Sequence, residues 1–171
     1  MATFGKGVEY ALHCLAYLVD RPGNKVLTVS DIARFQGISE SYLAKIFTKL
    51  TKAGLTRSSI GAKGGYELTR SPELISFWDV VVAVEGKPKL FECRNVRAGC
   101  VLYRDDKEKP KWLVAGICEI HKVMLDAEAQ LQRSLQAKNL GWLTREVGKK
   151  IPKEEAKKFD LWFLEATESR K

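Results

Sequence analysis

Three cysteines and a histidine form the most chemically suggestive pattern in this chain. Cys93, Cys100 and Cys118 are spaced C-x6-C-x17-C, and His121 follows the last of them in C-x2-H. The first two fall in a polar stretch rich in Lys, Arg, Gly, Pro and Asp. There thiolates are free to converge on one site, as cysteines locked in a core are not. Soft thiolate ligands favour iron–sulfur clusters, zinc or copper(I) over magnesium or calcium. The spacing does not match the tight C-x2-C pairs of zinc knuckles, which turns the reading toward a cluster. Near the N-terminus, Glu9 and His13 stand four apart, hence on one face of a helix that contains both. Pattern alone makes them an i,i+4 hydrogen bond or ion pair. Their neighbour Cys14 reads as a small buried core residue.

A second group of residues is basic. Ser41, Tyr42, Lys45, Lys49 and Lys52 fall on one face of a candidate helix, opposite Leu43, Ile46, Phe47 and Leu50. Residues 41–70 carry six basic side chains and one acid, Glu67. The whole chain has 29 Lys+Arg against 21 Asp+Glu, a net charge of +8 over 171 residues. An excess concentrated on one motif points to an acidic polymer, because an α-helix fits the major groove and its first turns meet base edges. Ser39, Ser41, Tyr42 and Lys45 are the candidates for base edges or the nearest phosphates. Lys49 and Arg57 suit phosphates, which orient a protein without reading sequence. Lys63 is placed for a minor groove, and Gly64 and Gly65 for close approach of backbone to the sugar-phosphate chain.

The elements that must position these groups follow from local signals. Residues 5–20 have a helical stripe of Val8, Leu12, Leu15, Ala16 and Val19, ended by the turn cluster Arg21-Pro-Gly-Asn24. Thr28 with Asp31 predicts a capping box that starts a short helix, and Gly37 is suited to close it. Ser39 caps the basic helix, which runs to about Ala53 with Gly54 after it. Two helices joined by a short Gly-containing turn make a helix-turn-helix. Strand-like runs at residues 55–60 and 66–70 flank Gly61-Ala-Lys-Gly-Gly65, a hairpin with a glycine-rich basic tip. Helix-turn-helix followed at once by such a hairpin is a winged helix.

Ser76 and Asp79 predict another capping box for a helix through Glu85, closed by Gly86. The run Val80-Val81-Val82 opposes it with β-propensity. Residues 87–111 read as a long loop, and such loops in compact chains are usually functional or disordered. From Leu113 to Ala137, Ile117, Ile120, Met124, Ala127, Leu131 and Leu135 make a narrow apolar seam suited to a partner helix. Pro152 starts a last helix bearing Phe159, Trp162, Phe163 and Ala166. The expected fold is mainly α with a small β-hairpin wing: a winged helix-turn-helix plus a long dimerisation helix. Its expected parts are a DNA-binding domain over 1–86, a cysteine loop over 87–117, a dimerisation helix over 118–140 and a helical extension over 141–171.

Several classes are disfavoured. There is no run of about 18 apolar residues to span a bilayer, and the start lacks the pattern of a signal peptide. The expectation is therefore a cytoplasmic protein without a membrane partner, its cysteines reduced or metal-bound. No phosphate-binding glycine motif, nucleophile elbow or HExxH is present, so an enzyme is not expected, nor a small-molecule substrate.

The stretches Ser39-Glu-Ser-Tyr-Leu-Ala-Lys-Ile-Phe-Thr-Lys-Leu50, Ala53-Gly-Leu55, Gly61-Ala-Lys-Gly-Gly-Tyr66 and Val84-Glu-Gly86 resemble the Rrf-two family of winged-helix regulators, which includes NsrR, IscR, RirA and RsrR. The resemblance covers about residues 5–140. It implies a homodimer joined by the long helix and bound to double-stranded operator DNA, most simply as a repressor. In the cluster-bearing branch it implies an iron–sulfur cofactor reporting redox state, iron or nitric oxide. Gly7-Val-Glu-Tyr-Ala-Leu-His-Cys14 is most similar to the RsrR type, and carried over it implies a [2Fe–2S] cluster on Glu9 and His13 of one subunit with Cys93 and Cys118 of the other. The alternatives are an IscR-like set of Cys93, Cys100, Cys118 and His121, and an NsrR-like set of the three cysteines with the partner's Glu9, where a [4Fe–4S] cluster is the competing cofactor. The x17 gap before Cys118 is longer than the spacing of the commoner members. The same fold without a cluster, using Cys93 and Cys100 as a thiol–disulfide pair, is the competing function.

Overall fold

The computed structural model describes residues 4–19, 26–61 and 64–169. The turn cluster at 21–24 and the wing-tip Lys63 lie outside them. The chain divides into two compact units, each considered by itself: one runs through Lys87 and resumes at Leu135, and the other is Pro88–Ser134.

The first unit is built on α1 (Lys6–Ala16), α2 (Val29–Gln36), α3 (Glu40–Lys52) and α4 (Phe77–Glu85), with the hairpin β1 (Thr56–Ser59) and β2 (Gly65–Leu68). Its ends are set by side chains, as the spacing predicts. Asp31 N donates to the Thr28 hydroxyl at 3.1 Å, and Thr28 N returns a bond to the Asp31 carboxylate at 2.9 Å. Ser76 and Asp79 repeat the box at the head of α4. Each box satisfies amides that the first turn leaves without a carbonyl. Gly37 ends α2 at φ 67°, the left-handed conformation a side chain resists.

The core collects the inward stripes of the four helices. Leu43, Phe47 and Leu50 of α3 meet Leu15 of α1, Ile32 of α2 and Val80 of α4, all fully buried. Burying an aliphatic or aromatic side chain of this size is worth about 1.5–3 kcal/mol each, which is why this stripe outweighs the weak helix propensity of the valine run in α4. Thr56 pairs with Leu68 and Ser59 with Gly65 across the antiparallel hairpin. Tyr66 docks the wing onto the helices: its amide donates to Leu27 O at 2.8 Å, and its ring lies 4.7 Å from Phe47.

The structure departs from the sequence expectations at four places. The first helix stops at Ala16 rather than residue 20, and its buried face is Val8, Ala11, Cys14 and Leu15, while Leu12 is only half-buried. The long helix does not begin at Leu113. A four-residue helix, α5 (Lys111–Val114), is followed by Gly116 at φ 72°, and α6 runs Glu119–Gln136. An unforeseen helix, α7 (Leu140–Gly148), is capped by Asn139, whose side chain accepts from Trp142 N at 2.7 Å. The last helix, α8 (Lys153–Glu168), has Pro152 as its cap rather than inside its first turn.

The second unit keeps residues 88–110 largely irregular apart from a 3-10 turn at Val96–Gly99. Lys109 ties it together by donating to Ala98 O at 2.9 Å and Tyr103 O at 2.8 Å. Glu128 of α6 accepts from the Leu90 and Phe91 amides at 2.6 and 3.1 Å.

Candidate nucleic-acid interface

The outward face of α3 begins at its cap. Ser39 accepts from Tyr42 N at 3.4 Å, and its hydroxyl lies 3.0 Å from that of Ser41. Ser39, Ser41 and Lys45 are exposed around the first two turns. Hydroxyls and an ammonium at this position match the donors and acceptors of base edges and phosphates. Tyr42 leans back toward α1, its ring edge-on to Tyr10 at 5.9 Å, yet 42% of its surface stays exposed. A Cβ on Gly7 would stand 3.1 Å from Val84 Cγ1 and 3.4 Å from the Tyr42 hydroxyl, so the tight neighbour there is α4.

Two of the expected contacts are engaged inside the protein. Lys49 donates to Val84 O at 2.7 Å, at the C-terminal turn of α4. Arg57 pairs with Glu67 across the hairpin at 2.9 Å, with two thirds of its side chain exposed. The wing glycines also have an internal reason. A Cβ on Gly64 would lie 2.3 Å from Ser59 O, and one on Gly65 2.5 Å from Leu27 O. Both glycines let the chain approach its own backbone. At the near end of the wing, Ile60 is fully exposed, a residue the sequence reading passed over.

Glu9 and His13 are exposed on α1 and line a cavity of about 800 Å³ with Leu12, Leu143, Val147 and Phe159. The cysteines behave differently from one another. Cys14 is fully buried, and burial pushes its thiol up to about 12. Cys93, Cys100 and Cys118 are half-buried, free thiols of the second unit. Cys118 precedes α6, where the His121 amide, then the Ile120 amide, hydrogen-bond its sulfur and the Arg97 guanidinium adds a favourable charge. Together these hold its thiol below the usual range. Arg97 Nε is buried without a hydrogen-bond partner among the described residues. Its position escaped the sequence reading, because nothing marks one arginine among many in a basic loop.

Residues 4–146 match the family model Rrf2, described as "Iron-dependent Transcriptional regulator". The chain belongs to the Rrf2 family. Among its relatives, the protein rrf2 of Nitratidesulfovibrio vulgaris strain Hildenborough is 31% identical over 138 residues, 81% of this chain and 84% of that protein. The HTH-type transcriptional regulator IscR of Aliivibrio salmonicida is 35% identical over 111 residues, 60% of this chain and 65% of that one. Among solved structures, CymR, the global cysteine regulator of B. subtilis, superposes with a TM-score of 0.64 over 85% of this chain and 98% of its own, at 23% identity, which establishes the fold alone. The family model and relatives such as IscR are named transcriptional regulators, and this winged-helix chain is a DNA-binding regulator, not an enzyme. Among the described residues no helix is long and apolar enough to cross a membrane.

Proposed function

We propose that this chain is a sequence-specific transcriptional repressor, working as a cytoplasmic homodimer on operator DNA. Its affinity is set by a [2Fe–2S] cluster sensing redox state, iron or nitric oxide. The observation that carries the DNA reading is the exposed, capped start of α3, where Ser39, Ser41 and Lys45 stand clear of every core contact. Lys63 adds a cation at the wing tip by its place in the sequence.

The donor chemistry suits such a cluster, and the set proposed is Glu9 and His13 with Cys93 and Cys118. Among the described residues no three of His, Cys, Asp or Glu lie close enough to hold a metal ion. The other sets that the family resemblance offers are Cys93, Cys100 and Cys118 with His121, and the three cysteines with the partner's Glu9. A set split between subunits needs only pairs: Glu9 and His13 from α1, and Cys93 and Cys118 from the cysteine unit. The Cys118 thiol is held below the usual range, and Arg97 stands ready to offset negative charge with an unpartnered Nε. Bound there, the cluster would supply a one-electron redox centre. The chain's part is to present the ligands, to join two copies through the exposed seam of α6, and to set the two α3 helices against the duplex.

The test is operator binding by anaerobically purified protein in oxidised, reduced and metal-free forms, using the duplex that the protein itself selects from random-sequence DNA. A difference of a hundredfold, about 3 kcal/mol, is ample for a switch. Equal affinities overturn the sensing. No selected site in any form overturns the DNA reading.

One observation favours a cluster-free regulator: three free thiols share one unit, and that of Cys118 is held below the usual thiol range. In that reading Cys93 and Cys100 form the disulfide pair, and a fresh anaerobic preparation is colourless rather than reddish-brown.

A further inference from the structure

The last helix, α8, lies beyond the family match, which ends at residue 146. It packs on α2, the first helix of the helix-turn-helix. Phe35 of α2 is surrounded by rings: Phe163 at 4.6 Å, Trp162 at 5.0 Å and Phe159 at 5.6 Å, all from α8, with Tyr17 at 5.2 Å from the turn after α1. Tyr17 and Phe163 close the triangle at 5.5 Å. The Arg34 guanidinium lies 5.5 Å from the Trp162 ring centroid, and the Tyr17 hydroxyl donates to Gln36 at 2.5 Å. Successive residues 34, 35 and 36 of the final turn of α2 are thus held from outside the helix.

The other end of α2 is tied to the reading helix, through Ser30 Oγ donating to Glu40 of α3 at 2.8 Å. A helix of eight residues has little stability of its own and takes its orientation from what it packs against. In a helix-turn-helix the first helix crosses the DNA backbone and sets the angle at which the second enters the groove. Without α8, Phe35 would face water and nothing aromatic but Tyr17 would fix the rotation of α2.

We propose that α8 is a brace that orients the helix-turn-helix for DNA, with Phe159, Trp162 and Phe163 as positioning residues acting through Phe35. The proposal rests on the DNA-binding reading above. It gives the C-terminal extension a role in affinity as well as in stability. The brace also reaches the other side of the unit, since Phe159 and Phe163 line the same cavity as Glu9 and His13. Side chains on α1 that address a cofactor and those on α8 that address α2 therefore share one wall.

The test uses full-length Trp162→Ala and Phe163→Ala, with Phe163→Leu as the conservative variant. Amide hydrogen exchange is compared for α2 and α4, and affinity is measured on the duplex selected by the wild-type chain, well below each melting temperature. The brace predicts faster exchange in α2 with α4 unchanged, and affinity lower by about tenfold, equivalent to about 1.4 kcal/mol. The dependence on salt should keep its slope, because no phosphate contact is removed. Phe163→Leu should recover most of the affinity. Full affinity in the alanine variants, or α2 exchange that does not change, overturns the proposal. If the wild-type chain selects no duplex, the DNA reading itself fails, and the exchange of α2 still decides whether α8 braces it.

Discussion

Lys49, on the outward side of the reading helix, donates to the carbonyl oxygen of Val84 at 2.7 Å. That carbonyl is among the last of α4, where helix carbonyls lack partners and carry partial negative charge. The ammonium is therefore a C-terminal cap for α4 more than a free phosphate ligand. Lys49→Met is expected to cost about 1–2 kcal/mol of stability, seen as a lower melting temperature, with little change in the salt dependence of DNA binding. Lys45→Met should do the reverse, keeping stability and reducing the salt slope by about one. The two variants exchange roles if the carbonyl contact is unimportant in solution.

The wing should tolerate no side chain at its glycines. A Cβ at Gly65 meets Leu27 O at 2.5 Å, and one at Gly64 meets Ser59 O at 2.3 Å, both backbone atoms that cannot swing away. Gly65 also sits at φ 158°, where alanine is strained. Gly65→Ala should destabilise the chain by about 1–3 kcal/mol and weaken the Tyr66 amide bond to Leu27, visible as faster exchange at that amide. A Gly65→Ala chain with wild-type melting and protection would show that the hairpin relaxes freely.

These features mark how far local sequence carries. Thr28 with Asp31 and Ser76 with Asp79 are legible because both partners of each box lie within four residues. The stripe Leu43, Ile46, Phe47, Leu50 is legible because one period covers a single helix. Lys49 is not, since its acceptor is 35 residues away. Neither is α7, whose few apolar residues make a helix worthwhile only where Leu140 is buried in the core and Leu143 packs against it. The break before α6 was hidden by Ile117 and Ile120, which extend the apolar period across Gly116 as though the helix continued. Spacing marked Glu9 and His13 as a same-face pair on one helix, but a ligand role for them came only through resemblance, because spacing within one chain says nothing of a site shared with another.

Thiol reactivity should separate Cys118 from Cys14 in metal-free protein. Cys118 is held below the ordinary thiol range by the amides of His121 and Ile120 and by Arg97, whereas burial raises Cys14 to about 12. The thiolate is the attacking form. Alkylation of Cys118 by iodoacetamide should therefore rise to its plateau at a lower pH than that of an unstructured cysteine peptide. Cys14 should react only after unfolding. Arg97→Ala should move the Cys118 profile upward in pH, as peptide mapping across a pH series would reveal. A Cys118 profile identical to that of an unstructured cysteine peptide would contradict the helix-terminus effect.

The seam of α6 supports the sharpest expectation about assembly. No residue of this helix is buried, and its Ile120 and Val123, with Ile117 just before it, leave 60–67% of their surfaces exposed. Three large aliphatic side chains on one short stretch are a costly surface in water, and covering each is worth about 1.5–3 kcal/mol. A second copy brings the same residues, so the gain is doubled across a two-fold axis. Ile120→Asp places one carboxylate from each subunit against that seam. Sedimentation equilibrium should find the wild-type chain dimeric at micromolar concentration, and the variant at least a hundredfold weaker in self-association. Circular dichroism should be unchanged, because Ile120 supports no core. Operator affinity should fall with the loss of the second reading helix, while the salt slope per bound chain stays the same. A wild-type chain that sediments as a monomer would remove the second subunit on which the split set of Glu9, His13, Cys93 and Cys118 depends.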